Sequence, residues 1–346
     1  MTVIVALLGL VLLIVIHELG HMLTAKALGV RVPEFGVGFG PPIFKKKIGK
    51  TVYSLRIILL GGFAKMAGMN DDDEGPDTYP AKAAWRRALI IFAGPFANIL
   101  AAVVILALTL MIQGTVAGKP VVKQVEPGSM ADKTGIQAGD HLLGVDGKRI
   151  KEWDGFTKAV SEKQPGQKIS VTVERDGSEK QFSGKLGASP DNKNQALVGV
   201  RPEIERTTYG PVEATGMAVS TLGNITVKLG SFVGQLVTGE QSFSKNVTGP
   251  VGIASVGSTA VSQGFFPQLL AFISLNLALF NLLPMLPLDG GHLFFIAAEK
   301  VMGRPVSKET MGKVAAVGMA LVLVLFLFAT YSDLSKIFTG QSFIPD

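Results

Sequence analysis

The chain has 346 residues, of which 47% are hydrophobic and 17% are charged, and its mean hydropathy is +0.38. Soluble domains carry about 25% charged residues, so this balance excludes an ordinary soluble protein and predicts a membrane protein with some water-soluble mass. The net charge of +6 does not indicate nucleic-acid binding, because the basic residues follow a membrane-topology pattern. Since the chain has no cysteine, any metal site must use nitrogen and oxygen ligands.

The first predicted transmembrane helix, residues 1–25, contains the motif His17-Glu18-Leu19-Gly20-His21. On a helix, this HExxH spacing places both imidazoles on one face, where they can hold zinc, with the glutamate beside them as a general base. A charged residue near the middle of a membrane span costs about 2.5–3.5 kcal/mol on insertion scales, so such clusters usually have a function. The motif therefore predicts zinc chemistry within the membrane.

Residues 26–87 form the next predicted segment, a cytoplasmic loop. From Phe35 to Met66, glycine-rich apolar stretches lie on either side of a turn-like break at Lys47-Ile48-Gly49-Lys50. Because β-branched and aromatic residues surround the break, we expect a β-hairpin that partly enters the membrane. A surface loop of the same composition is the alternative.

A second predicted transmembrane helix, residues 88–112, precedes an α/β module at residues 116–200. Its predicted elements are two strands, a helix and a hairpin turn, at Val121–Val125, Leu142–Asp146, Trp153–Lys163 and Asp176-Gly177. With Gly135-Ile136-Gln137-Ala138-Gly139-Asp140, this order resembles a bacterial PDZ domain, which binds extended peptides by strand addition. A generic small domain is the alternative. The segment 201–267 is predicted to be an extracytoplasmic linker with possible surface helices.

The third and fourth predicted transmembrane helices cover residues 268–299 and 313–332. Pro284, Pro287 and Asp289 interrupt the third. Lysine and arginine are concentrated between the first and second spans and between the third and fourth, so both loops should be cytoplasmic. The predicted fold is an α-helical polytopic membrane protein with four transmembrane helices, a membrane-associated β-hairpin and an extracytoplasmic α/β PDZ domain, with both termini also extracytoplasmic.

Two histidines leave a catalytic zinc short of its usual three protein ligands. The candidates within the spans are Asp289 and His292. At about 1.5 Å per helical residue, His17 and His21 lie roughly 21–27 Å from the outer end of the first span, counted from Val3. Asp289 lies about 33 Å from Pro267, also on the outer side, before the prolines shorten that distance. Both elements therefore meet in the cytoplasmic half of the membrane. We therefore expect Asp289 to be the third ligand. His292 remains the runner-up.

Taken together, the motifs resemble those of the site-2 protease family of intramembrane zinc metalloproteases. They are HELGH at residues 17–21, Asn281-Leu282-Leu283-Pro284-Met285-Leu286-Pro287-Leu288-Asp289-Gly290, and Gly94-Pro95-Phe96-Ala97-Asn98. More narrowly, the motifs resemble those of the bacterial regulator of sigma-E protease type, although many members of that type carry two tandem PDZ modules and one is predicted here. The resemblance implies zinc on His17, His21 and Asp289, Glu18 as the catalytic glutamate, and Asn281 as a substrate-backbone contact.

The resemblance also implies a zinc endopeptidase of the bacterial inner membrane that cleaves single-span proteins, for example pre-cleaved anti-sigma factors or remnant signal peptides. The hairpin would lend an edge strand to the unwound substrate. Two other classes are a membrane zinc transporter or sensor and an inactive PDZ scaffold. A transporter has no need of a glutamate beside the first histidine, and the intact HExxH motif and Asp289 argue against a decayed enzyme.

Overall fold

The computed structural model describes residues 2–69, 73–189, 195–240 and 249–339. The chain divides into two units, residues 1–109 with 210–346 and residues 110–209. The first unit contains the helices that are apolar enough to lie in a membrane, and the second contains the α/β module. Each unit is described by itself.

Seven helices of the first unit are described. They are α1 (Thr2–Ala27), α2 (Ala84–Ile112), α5 (Pro211–Thr238), α6 (Pro250–Gln263), α7 (Phe266–Asn281), α8 (Asp289–Met302) and α9 (Lys308–Thr339). Among the described residues, three helices are long and apolar enough to cross a membrane, namely α1, α2 and residues 309–339 of α9. A helix of 26 residues, such as α1, spans about 39 Å, which exceeds the roughly 30 Å hydrocarbon core of a bilayer.

The predicted third span consists of two shorter helices, α7 and α8, joined by residues 282–288. Pro284 and Pro287 have no backbone N–H, and each disfavours helical geometry in the residue before it. The break leaves Asp289 as the first residue of α8. A carboxylate in the first turn of a helix is favoured by the helix dipole.

The described residues of the segment 201–267 include the helices α5 and α6, and both pack on apolar helices of the first unit. On α5, Leu222 is buried against Ala102 of α2 and Leu275 of α7. The first turn of α6 is held by Asp333 of α9, whose carboxylate accepts hydrogen bonds from the backbone N–H groups of Gly249 at 2.9 Å and Gly252 at 2.7 Å. Tertiary packing therefore stabilises helices whose sequence signals are weak.

The hairpin of the first unit is formed by β1 (Glu34–Ile48) and β2 (Thr51–Lys65). Its register shows that β1 pairs with β2 twice, because Phe35 has Cα partners in both Tyr53 and Ala64. Residues 58–65 pair only with residues 34–39 among the described strands, so they form an edge. An edge strand offers unpaired backbone groups to another extended chain.

The described residues of the second unit form an antiparallel sheet, two short strands outside it and two helices. The elements are β3 (Thr115–Val125), α3 (Met130–Thr134), β4 (His141–Val145), β5 (Lys148–Arg149), α4 (Trp153–Ser161), β6 (Lys168–Arg175), β7 (Ser178–Lys185), β8 (Gly187–Ala188), β9 (Ala196–Leu197) and β10 (Val200–Thr207). The strand order is β10-β3-β4-β6-β7, with β5 paired to β4, while β8 and β9 pair with each other. Leu142, Phe156 and Val171 belong to its buried core. Three long apolar helices and this α/β unit fit the predicted membrane protein that carries an α/β module.

Candidate metal centre

Both histidines of the HExxH motif project from the same face of α1. Because they are four residues apart, His17 and His21 are one above the other, with their Nε2 atoms 3.2 Å apart. Both side chains are buried, although the helix around them is apolar and largely exposed. Two imidazoles in this arrangement are paired ligands for a metal ion.

Asp289 reaches the two histidines from α8. Its Oδ2 atom lies 3.1 Å from His17 Nε2 and 3.3 Å from His21 Nε2. A close turn precedes it, and a Cβ on Gly290 would collide with the carbonyl oxygens of Leu282 and Leu283. Glycine at position 290 thus allows the chain to turn sharply and present the carboxylate to α1.

The tautomer of His21 is determined by its neighbour on α2. Its Nδ1 atom lies 2.8 Å from the backbone carbonyl oxygen of Ile90. A carbonyl oxygen only accepts hydrogen bonds, so Nδ1 carries the proton and donates it. The lone pair of the ring is therefore on Nε2, the atom that faces His17 and Asp289.

The three converging atoms fit a zinc ion. Tetrahedral ligands at about 2.0–2.2 Å from zinc lie roughly 3.3–3.6 Å from one another, and the three observed separations of 3.1, 3.2 and 3.3 Å are close to this range. Asp289 Oδ2 is buried and accepts no hydrogen bond from the described residues. The Nε2 lone pair of His21 and the carboxylate oxygen of Asp289 face each other at 3.3 Å and repel without a cation, and a cation between them would remove this repulsion. Within the described ranges, this is the one cluster of three or more such ligands.

Glu18 projects beside the ligand cluster and meets the hairpin. Its carboxylate lies next to the backbone N–H of Ala64, and a Cβ on Gly62 would lie 3.2 Å from Glu18 Cγ. Gly62 and Ala64 belong to the edge segment, residues 58–65. The edge of the sheet and the glutamate therefore border the same space.

Comparison with known proteins agrees with this geometry. The family model described as Peptidase family M50 matches residues 5–325. The chain belongs to peptidase family M50. This membership, together with the names of its relatives, confirms the predicted site-2 protease resemblance and the predicted class of zinc metalloprotease.

Two relatives of this M50 peptidase are similar along nearly their whole length. The protein named "Putative zinc metalloprotease FN1322", from Fusobacterium nucleatum subsp. nucleatum, is 32% identical over 98% of this chain and 100% of its own. "Zinc metalloprotease RasP" from Geobacillus kaustophilus is 28% identical over 94% of this chain and 96% of its own. Long apolar helices in an M50 peptidase support a multi-pass membrane protein.

The cluster of three candidate ligands in this M50 peptidase does not include the other two predicted site residues, Asn281 and His292. Asn281 is the last residue of α7, is half-buried, and has no hydrogen-bond partner for its amide among the described residues. His292 is half-buried on α8 and is not part of the cluster of three ligands. Asn281 thus has amide groups free for another molecule.

The helix α2 contributes residues to the centre that sequence reasoning did not assign. A Cβ on Gly94 would collide with the ring of His21 at Nε2, so only glycine leaves room for that imidazole. Asn98 is completely buried, and its Nδ2 atom is 3.3 Å from His17 Nδ1. In the sequence, the polar side chain of Asn98 inside an apolar span indicates such a role, because polar groups buried in membranes are usually functional.

Proposed function

We propose that this M50 peptidase hydrolyses peptide bonds in the transmembrane segments of single-span membrane proteins. The observation that carries the proposal is the convergence of His17, His21 and Asp289 beside Glu18, on helices apolar enough to lie in a bilayer. A soluble peptide could reach such a centre only by leaving water. A substrate already in the membrane reaches it by lateral movement.

In this proposal His17, His21 and Asp289 hold the zinc ion and leave room for water and substrate, as in catalytic sites with three protein ligands. When bound there, zinc polarises the scissile carbonyl and makes water acidic enough to attack it near neutral pH. The backbone carbonyl of Ile90 keeps the Nδ1 proton of His21 in place, so that Nε2 stays available as a ligand.

Glu18 acts as general base and then as general acid. Its carboxylate takes a proton from the attacking water while the water oxygen bonds to the carbonyl carbon of the substrate. It then donates a proton to the amide nitrogen as the carbon–nitrogen bond breaks, so the products are a carboxylate and an amine. The half-buried position of Glu18 beside the ligand cluster suits both transfers.

The hairpin would hold the substrate in an extended form. A helical substrate hides its peptide bonds, so it must unwind before cleavage, and the unwound backbone then needs hydrogen-bond partners inside the membrane. The edge segment, residues 58–65, has such groups beside Glu18, and the free amide of Asn281 could hold a further backbone group.

The remaining assignments follow from charge and from the family. We propose four transmembrane helices, in which α7 and α8 together make the third, with the lysine- and arginine-rich loops in the cytoplasm. The second unit, the chain termini and the linker would then lie outside the cytoplasm of a bacterial inner membrane. The PDZ-like module would filter or dock substrates such as pre-cleaved anti-sigma factors or remnant signal peptides.

Replacement of Glu18 by glutamine tests the proposal. Glu18→Gln keeps the size of the side chain but removes the base, so purified protein should retain its zinc while cleavage of a model membrane substrate falls by about 100- to 10,000-fold. In cells, the same variant should accumulate uncut membrane fragments that mass spectrometry can identify.

Glu309→Gln is the matched control, because Glu309 is an exposed glutamate on α9 whose described ion pair is with Lys313, four residues away. It should cleave like the parent chain. A Glu18→Gln protein that still cleaves the substrate would overturn the proposal. Zinc transport by the parent that Glu18→Gln leaves unchanged would instead support a transporter.

A further inference from the structure

A fully buried amide side chain lies behind the first histidine of the metal centre. Asn98, on α2, has 0% of its surface exposed, although its helix is apolar and long enough to span a membrane. Its backbone carbonyl accepts a hydrogen bond of 2.8 Å from the hydroxyl of Ser274 on α7. The residue therefore lies where the first, second and third predicted spans meet.

The hydrogen bond between Asn98 and His17 can run in two directions, and one of them is incompatible with metal binding. The incompatible direction is the one in which Asn98 donates and His17 accepts. With Nδ2 of Asn98 at 3.3 Å from His17 Nδ1, the amide donates and the imidazole accepts at Nδ1. A neutral imidazole that accepts at Nδ1 carries its proton on Nε2. Nε2 is the atom of His17 that faces Asp289 and His21, so a proton there would block its lone pair from a metal ion.

The other end of the same amide is the acceptor that His17 requires. Asn98 Oδ1 is buried and has no hydrogen-bond partner among the described residues. Rotation of the amide by 180° exchanges the positions of Oδ1 and Nδ2, so that Oδ1 lies next to His17 Nδ1. In either orientation, one of the two amide atoms lacks a hydrogen-bond partner. The exchange thus costs no additional unpaired group, and it moves the imidazole proton to Nδ1.

We propose that Asn98 is a positioning residue that accepts the Nδ1 proton of His17 and so directs its Nε2 lone pair at the metal. The inference rests on the metal site of the proposed function. Ile90 does the same for His21 with a backbone carbonyl, and it lies eight residues before Asn98 on α2. Eight residues are about 2.2 helical turns, so one face of α2 supports both imidazoles.

Zinc affinity of the purified full-length chain tests the role of Asn98 without depending on turnover. Loss of a group that orients a metal-binding histidine typically weakens metal affinity by about 10- to 100-fold. We expect this weakening in Asn98→Leu, which has similar volume and no acceptor. Asn98→Asp keeps an oxygen at the same distance from the backbone and should stay within about threefold of the parent chain.

Two further variants complete the experiment. Asn98→Ala also lacks the acceptor but is smaller, so it gives the same test if leucine prevents folding. Asn276→Leu is the control, because the hydrogen bond described for the Asn276 amide is to the Phe272 carbonyl of its own helix. Competition with a chromophoric chelator measures the affinities, and the absorption bands of the cobalt-substituted protein report the ligand field.

The outcomes separate this inference from the function on which it rests. Parent affinity in folded Asn98→Leu and Asn98→Ala would overturn the role of Asn98, as would an equal loss in Asn98→Asp. A shifted cobalt spectrum in Asn98→Leu but not in Asn276→Leu would support it. Failure of the parent chain to bind zinc at His17, shown by unchanged affinity in His17→Ala, would reject the proposed metal centre itself.

Discussion

The backbone of Gly318 on α9 lies directly against the carbonyl oxygen of Leu286, three residues before Asp289. A Cβ at position 318 would collide with this oxygen. The loop that carries Asp289 is thus pressed between α9 on one side and its own glycine turn at Gly290 and Gly291 on the other. The distance between Asp289 and the histidines therefore depends on a helix that supplies no ligand.

Gly318→Ala should weaken zinc binding because the added methyl group displaces Leu286, and with it Asp289, from the position in which Asp289 Oδ2 meets the two histidines. Overpacking of this kind typically costs about 1–3 kcal/mol of stability. Thermal unfolding and zinc affinity of the purified chain measure the two effects. Gly312→Ala, on the same helix, is the control, since nothing lies within 4 Å of the Cβ it would add. Equal zinc affinity in both variants would contradict the prediction.

Gly94→Ala should abolish zinc binding by displacing the imidazole of His21, whose Nε2 atom occupies the space of the added Cβ. Alanine favours a helix by about 1 kcal/mol over glycine, so any loss comes from the collision and not from the backbone. Metal content after dialysis is the measurement. Gly223→Ala on α5 has open space around the new methyl group and should keep its zinc. Full metal content in Gly94→Ala would show that His21 is not a ligand.

Zinc should stabilise the folded chain, because its proposed ligands link α1 to α8 across more than 260 positions of sequence. A ligand that binds only the folded state at 100 times its dissociation constant adds about 2.7 kcal/mol to the free energy of unfolding. Chelator should therefore lower the melting temperature of the parent chain, and zinc should restore it. Asp289→Ala should show neither change. A chelator effect of the same size in Asp289→Ala would place the stabilising metal elsewhere.

The second unit should lose stability in acid because of one buried carboxylate. Burial acts to raise the pKa of Asp140, but Arg175 donates hydrogen bonds of 2.6 and 2.7 Å to it, and the pKa is lowered overall. A lowered pKa stabilises the fold at every pH above the unfolded value, about 3.9, and this contribution is lost as the pH falls through the folded pKa.

Tryptophan fluorescence can follow this acid dependence in the full chain. The chain has two tryptophans, and Trp85→Phe replaces the one in the first unit, which is 57% exposed. The remaining Trp153 then reports urea unfolding of the second unit. The midpoint should fall below about pH 4. Asp140→Asn should lower the midpoint at neutral pH and flatten its acid dependence, whereas Glu203→Gln should change neither. An unchanged acid dependence in Asp140→Asn would refute the assignment.

The hairpin was predictable in outline but not in register. Glycine-rich apolar stretches with β-branched and aromatic residues on either side of the break at Gly49 predict two strands, and these strands form. The double pairing of Phe35 and the contact of the edge segment with Glu18 depend on how residues far apart in the sequence come together in the folded chain. Nothing in a local pattern specifies such a long-range choice.

The sequence by itself determined the three candidate ligands of the proposed metal centre, from the spacing of the histidines and from the depth of each residue in the membrane. The four-residue spacing of His17 and His21 places both side chains on one face of a helix. The lengths of the spans place Asp289 at about the same depth in the bilayer. Only the tertiary structure decided which groups orient these ligands, namely Ile90, Asn98 and Gly318. Contacts of this kind depend on how each helix is rotated and how closely it approaches its neighbour. A few tenths of an ångström in that approach separates a hydrogen bond from a collision, and amino-acid spacing along one helix does not contain that information.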